Sequence, residues 1–288
     1  MSVFMKYEDM WDLPIAGPSK EKKVTHWVGN IVYAVLGFLC KVLFRYRVDH
    51  RENIRAFDGV SGVLVVANHT SFLDVVFMWL ATRPRQWIRF MARDTLFPNA
   101  GGLLGQIISR VGAFPVKRDS ADRTSLKRAA RMLKDGECVG ILPEGTRRGK
   151  GSKQPEIHSG AAFVAKMGKA PILPMTVRNA EKVKQKGKFV RFPKVSVDYG
   201  NPILLSDFDF VDKGDRLEAA TWYALRESFA LFYNKKPEEV DMVALFPDGH
   251  DFTQLFNDHP LPVHSADEVA AGLREAAEKK ALAAGEGA

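Results

Sequence analysis

The sequence predicts an α/β fold with a parallel-rich central sheet flanked by helices, an N-terminal membrane-associating helix and a helical C-terminal extension. Three observations carry this expectation. Short apolar runs of strand length alternate with helical stretches, an apolar segment with basic flanks precedes the first run, and aromatic residues at helical spacing follow the last.

Taken in order, residues 1–46 form the N-terminal segment, 47–236 the α/β domain, and 237–288 an extension ending in a flexible tail. Asp9, Asp12 and Pro14 come before any long apolar stretch, so no cleavable signal peptide is expected and the N-terminus should be retained. Trp27 to Phe44 is apolar apart from Lys41, with Lys20, Lys22 and Lys23 before it and Arg45, Arg47 and Arg51 after. As a helix it would reach ~27 Å, near the lower limit for crossing a bilayer core. Basic residues on both flanks, Trp27, Tyr33 and the near-terminal Lys41 suit a helix lying in or dipping into one leaflet, a monotopic anchor, with a buried core helix of the soluble domain as the alternative.

Strands are expected at Val63–Ala67, Trp87–Ala92, Ala113–Val116, Cys138–Leu142, Ile172–Val177 and Val195–Tyr199. Helices are expected between them at Asp74–Ala81, Gly102–Val111, Asp122–Asp135 and Gly160–Met167. In the third helix Leu126, Ala130 and Leu133 share a stripe opposite Arg123, Lys127, Arg131 and Lys134, so one face packs and the other is read as a solvated surface, with a dedicated lipid contact as the alternative. The stretch Arg178 to Lys194 carries seven Lys or Arg and one acid, and could hold an acidic carrier protein or a membrane. Trp222, Leu225, Phe229 and Phe232 predict a core-packed helix over Thr221–Tyr233. Six acids and no Lys or Arg lie between Pro237 and Pro260, read as an ordered or semi-ordered extension, and Ala276 to Ala288 is read as a frayed tail.

The 42 Lys and Arg against 34 Asp and Glu leave a formal charge of +8, which favours anionic partners without choosing among head groups, phosphorylated substrates and nucleic acid. Nucleic acid is not expected, because the basic clusters carry no recognisable binding motif or interleaved aromatic platform. Cys40 and Cys138 both lie in apolar runs, so neither a disulfide framework nor a cysteine zinc site is proposed, and the seven His form no ligand-spaced pair.

The chemistry-bearing signal is Asn68-His69-Thr70-Ser71-Phe72-Leu73-Asp74, directly after the first apolar run. On one continuous helix, residues five apart stand about 140° around the axis and would not pair easily. If His69 sits in a strand-to-helix turn and Asp74 in the first helical turn, the carboxylate can hold one imidazole nitrogen and leave the other to accept a proton. That is the base and orienter of a triad without its serine. Further blocks follow in Val111-Gly112-Ala113-Phe114-Pro115-Val116-Lys117-Arg118, Leu142-Pro143-Glu144-Gly145-Thr146-Arg147 and Ala170-Pro171-Ile172-Leu173-Pro174-Met175.

With these blocks, and Arg51-Glu52-Asn53-Ile54 ahead of them, the stretch from Arg47 to Tyr199 resembles the glycerolipid acyltransferase family, specifically 1-acyl-glycerol-3-phosphate acyltransferases. The resemblance implies His69 as general base and Asp74 as its partner, with Arg118, Glu144, Gly145, Thr146 and Arg147 at the acceptor phosphate. It implies an acyl-chain or pocket wall at Pro171, Ile172 and Pro174. It further implies acyl-CoA or acyl-ACP (acyl carrier protein) as co-substrate, no cofactor or metal, a lysophospholipid acceptor and a membrane phospholipid surface, on the cytoplasmic face. The residue types suit this chemistry. An alcohol needs a positioned base to attack a thioester, guanidinium forks clamp phosphate, and glycine lets backbone approach it. Pro115 and Lys117 depart from the family pattern, and so does His158, read as an ordinary helix-start residue with an approach to the acceptor as the alternative. Another lysolipid, a glycolipid or a secondary-metabolite hydroxyl could replace the acceptor. A hydrolase is opposed by the lack of a Gly-x-Ser-x-Gly elbow, and an inactive membrane-binding scaffold is the remaining alternative.

Overall fold

The computed structural model describes residues 6, 10, 26–98, 102–116, 123–148, 154–185, 187 and 189–285. Seven strands form one sheet: β1 (Arg47–Asp49), β2 (Val63–Ala67), β3 (Ile88–Arg93), β4 (Ala113–Val116), β5 (Cys138–Ile141), β6 (Ile172–Arg178) and β7 (Ser196–Tyr199). Their order is β1-β7-β6-β2-β5-β3-β4. Strands β6, β2, β5, β3 and β4 are parallel, whereas β7 pairs antiparallel with β6 and carries β1 parallel to itself at the edge. The expected parallel-rich sheet is present, with the added β1 at one edge.

All five residues of β2 are buried, as a central parallel strand covered on both faces requires. Leu64 and Val66 point into one core layer and Val63, Val65 and Ala67 into the other, following the two-residue side-chain period. The first layer is packed by α5 (Arg123–Lys134), α6 (Gly160–Gly168) and α7 (Arg216–Tyr233). The second takes α1 (His26–Phe44), α2 (Arg51–Arg55), α3 (Asp74–Thr82) and α10 (Ala266–Gly285). Helices α4 (Leu103–Arg110), α8 (Met242–Leu245) and α9 (Thr253–Asp258) complete the chain.

Helix α7 starts at Arg216 rather than at Thr221, because Ala219 and Ala220 add a buried turn that carries no aromatic marker. The acidic stretch between residues 237 and 260 is held by buried Phe246, Phe252 and Phe256, with Phe256 stacked on Trp222 at 5.7 Å between centroids. Expected to fray from Ala276, the C-terminus instead continues as α10 to Gly285, since Ala, Glu and Lys are strong helix formers.

One flank of α1 packs against the second layer through Cys40, Val32, Tyr33, Leu36 and Phe44. The opposite stripe, Trp27, Ile31, Val35, Phe38, Val42 and Leu43, is exposed. Among the described residues no helix is long and apolar enough to cross a membrane.

Gly62, just before β2, marks a close approach: a β-carbon there would stand 2.1 Å from the carbonyl oxygen of Leu133. Backbone cannot yield as a side-chain tip can. Gly62→Ala is expected to lower unfolding free energy by about 3 kcal/mol, read as an earlier urea midpoint.

Candidate active site

His69 follows β2 at the carboxyl edge of the parallel strands, and Glu144 to Arg148 follow the adjacent β5 at the same edge. The turn between β2 and α3 is organised by one carboxylate oxygen. Asp74 Oδ2 accepts from His69 Nδ1 at 3.0 Å and from the backbone N–H groups of Thr70 and Ser71, each at 2.8 Å. The Asp74 side chain is 1% exposed and that of His69 15%, so the carboxylate is buried while the imidazole reaches the surface. The expected pairing of His69 with Asp74 across the strand-to-helix turn is therefore present.

The backbone of His69 is gripped from both sides. Its N–H donates to Glu144 Oε1 at 2.7 Å, and its carbonyl accepts from the Arg148 N–H at 3.0 Å. The Glu144 side chain is fully buried, and its other oxygen lies against Arg148 Nε in a charge contact without the alignment of a hydrogen bond. Burial pushes the Glu144 carboxyl up, opposed by Arg148 and by the His69 N–H. Arg148 in turn stands 4.8 Å from the Phe229 ring centroid and 4.4 Å from that of Phe246, and its guanidinium donates to the Leu245 carbonyl at 3.1 Å. The α7–α8 region thus supports the His69 edge of the sheet through Arg148.

Between Glu144 and Arg148 the chain turns through Gly145, whose φ of +62° is the left-handed conformation that glycine adopts without strain. Its α-carbon faces His158, because a β-carbon there would lie 3.0 Å from the imidazole. His158 is exposed and its N–H donates to the Pro143 carbonyl at 3.1 Å, so it stands beside this turn and not only at a helix start. Thr146 and Arg147 are part-exposed, and the Arg147 guanidinium lies 5.9 Å from the ring of exposed Phe72, in the His69 turn. Arg118 and Lys117 lie outside the described residues; β4 ends at Val116.

Pro171, Ile172 and Pro174 are buried at the start of β6, and Ile172 belongs to the first core layer. Ile172 pairs with Leu64, five residues before His69, a setback of roughly 16 Å along the strand. The structure does not bring that residue to the imidazole. Nearer the site, Thr176 donates its hydroxyl to Asn68 Oδ1 at 2.7 Å, and Ser228 donates to the Val66 carbonyl at 2.9 Å. Sequence reasoning missed Arg148, Thr176 and Ser228. The only cue for Arg148 was a second arginine after Arg147, and nothing local says that one turns inward and the other out. Arg178, expected in a cationic docking stretch, turns inward to Asp198 at 2.9 Å and Asp49 at 3.4 Å.

A parallel-rich α/β sheet with a His–Asp pair at its carboxyl edge and an adjacent Glu-Gly-Thr-Arg turn is the arrangement to which the comparisons assign a class, that of acyltransferases. The family model described as Acyltransferase matches residues 45–178. The 1-acyl-sn-glycerol-3-phosphate acyltransferase of Bacillus subtilis (strain 168) is 32% identical over 175 residues, covering 61% of this chain and 82% of that protein. Its counterpart from Streptococcus pneumoniae is 34% identical over 145 residues, covering 50% of this chain and 51% of that protein, about half its length. The crystal structure of the 1-acyl-sn-glycerophosphate acyltransferase PlsC from Thermotoga maritima superposes with a TM-score of 0.50 at 22% identity, covering 70% of this chain and 80% of that one, a likeness of fold. The chain belongs to the 1-acyl-sn-glycerol-3-phosphate acyltransferase family.

Proposed function

We propose that the protein transfers a fatty acyl group from acyl-CoA or acyl-ACP to the free hydroxyl of a lysophosphatidate-type acceptor, giving phosphatidate. The observation that carries the mechanism is the 3.0 Å contact between His69 Nδ1 and Asp74 Oδ2. A carboxylate accepts, so Nδ1 holds the proton and Nε2 offers its lone pair. Nε2 takes the acceptor's hydroxyl proton as the oxygen attacks the thioester carbonyl; the C–O bond forms, the C–S bond breaks, and the proton passes to the departing thiolate. No acyl-enzyme is needed.

Gly145, Thr146 and Arg147, with Arg118, bind the acceptor phosphate, Arg147 as a guanidinium fork. Glu144 has a different task, because its buried carboxylate faces the His69 N–H rather than the surface. It positions the base. No cofactor or metal takes part in this scheme.

The exposed stripe of α1 lies in the lipid interface on the cytoplasmic face, as a monotopic anchor. Phe192, half exposed, stands 5.5 Å from Phe44 between ring centroids on the packed flank of α1, and Phe189 is 95% exposed.

The test is free-thiol release from acyl-CoA and acyl-ACP by purified protein in detergent or vesicles, with and without lysophosphatidate. Acceptor-dependent release yielding phosphatidate, and lost in His69→Ala, is expected. Equal release without acceptor would instead make the protein a hydrolase. Turnover only with another lysolipid would replace the acceptor and leave the mechanism standing.

A further inference from the structure

Between α1, β1 and α2 lies a cavity of about 410 Å³, separate from the His69 site, whose lining includes Lys41, Arg47, Arg51 and Arg55. No carboxylate lines it among the described residues. Arg47 is paired with Asp49 at 3.3 Å, whereas the other three form no ion pair among the described residues. The Nε of Arg51 is buried without a hydrogen-bond partner, while the same guanidinium hydrogen-bonds the Tyr46 side chain of the cavity wall. Like charges brought around one concavity repel, and an anion seated there would offset that repulsion.

The position says which anion. At 100° per residue, Ala34, Gly37, Phe38 and Lys41 of the cavity wall lie on the flank of α1 adjoining the exposed apolar stripe. Lys41 is the only charge on this helix. If the stripe lies among acyl chains, the cavity opens at head-group depth, where phosphate is the abundant anion.

We propose that this cavity seats the phosphate of an anionic phospholipid of the bilayer, with Lys41, Arg51 and Arg55 as its partners. The proposal rests on the membrane-binding role assigned to α1. It adds a lipid site distinct from the acceptor site and predicts a preference for anionic bilayers that depends on the cavity and not on net charge alone.

The experiment is sedimentation of the full chain with vesicles of phosphatidylcholine alone or mixed with phosphatidylglycerol. Wild type should bind both, and the anionic vesicles about tenfold more tightly or better, since each basic group near such a surface contributes severalfold. Two variants address the cavity. Lys41→Gln with Arg55→Gln removes two exposed charges. Gly37→Leu fills the space without changing charge, and its first added carbon meets only Leu80 Cδ2 at 3.8 Å. Both should lose most of the anionic preference and keep binding to phosphatidylcholine.

Lys127→Gln with Lys134→Gln, an equal charge change on exposed positions of α5, should reduce the preference less than twofold. An equal loss in this control, or full retention in Gly37→Leu, would overturn the proposal in favour of diffuse attraction. Wild-type binding to both vesicles with no anionic preference would overturn it and leave the membrane role intact. Failure to bind either vesicle would overturn both. Saturable binding of inorganic phosphate at the same cavity by lipid-free protein, with no anionic-lipid preference, would assign the site to a soluble anion.

Discussion

Asp74→Asn should leave the protein folded while lowering kcat about a hundredfold, at the lower end of what base catalysis contributes. The carboxylate uses one oxygen for everything: Oδ2 accepts from the imidazole and from two backbone N–H groups, while Oδ1 is buried without a partner. An amide placed with its oxygen at the Oδ2 position retains all three bonds and puts its NH2 where Oδ1 was. What disappears is the negative charge that stabilises the imidazolium formed as the proton moves. Asp74→Ala removes the charge and the turn together, so it should also lower Tm. His69→Ala should cost about a thousandfold, and adding Asp74→Asn to it should cost almost nothing more, because the two act as one unit. Steady-state kinetics with thermal melts for all four variants read this out. An Asp74→Asn enzyme with wild-type kcat would remove the carboxylate from the mechanism.

Arg148→Met is expected to lower stability by about 3 to 5 kcal/mol, the usual cost of leaving a buried charge unpaired. Glu144 is fully buried against Arg148, and methionine can occupy the slot between Phe229 and Phe246 without supplying charge. Glu144→Gln should restore much of that loss in the double variant, since a neutral amide oxygen can still accept from the His69 N–H. Urea unfolding of the single and double variants measures the coupling. Activity should follow with a fall in kcat and little change in the acceptor KM, because the pair holds the base and touches no phosphate. A raised KM with unchanged kcat would return Glu144 to the acceptor site.

The parts of this site legible in the sequence were those encoded locally. An apolar run long enough for a buried strand, followed at once by His69 and five residues later by Asp74, fixes a turn and its hydrogen bonds within one short segment. The same holds for Gly145, whose freedom at positive φ suits a tight turn. Arg148 was not legible because its partners, Phe229, Leu245 and Phe246, are far along the chain. The three-residue β1 was missed for a related reason: too short to show periodicity, it exists because β7 presents a free edge. Nor does alternation of strands and helices say that β7 turns back against β6. Pro171 and Ile172 show the converse limit, since an apolar, proline-stiffened run has the same composition whether it walls a ligand or fills a core.

The arginine clasped between two phenylalanines also bears on how the enzyme is made. The segment carrying His69 emerges from the ribosome early, but the second ring of the clasp comes from residue 246, long after Arg148 itself. At ~5–20 residues per second, that interval lasts roughly 5–20 s. Until residue 246 is made, a nascent chain with its central strands already translated holds Arg148 with half of its aromatic support, so the grip on the His69 backbone is completed well after the strand that precedes His69.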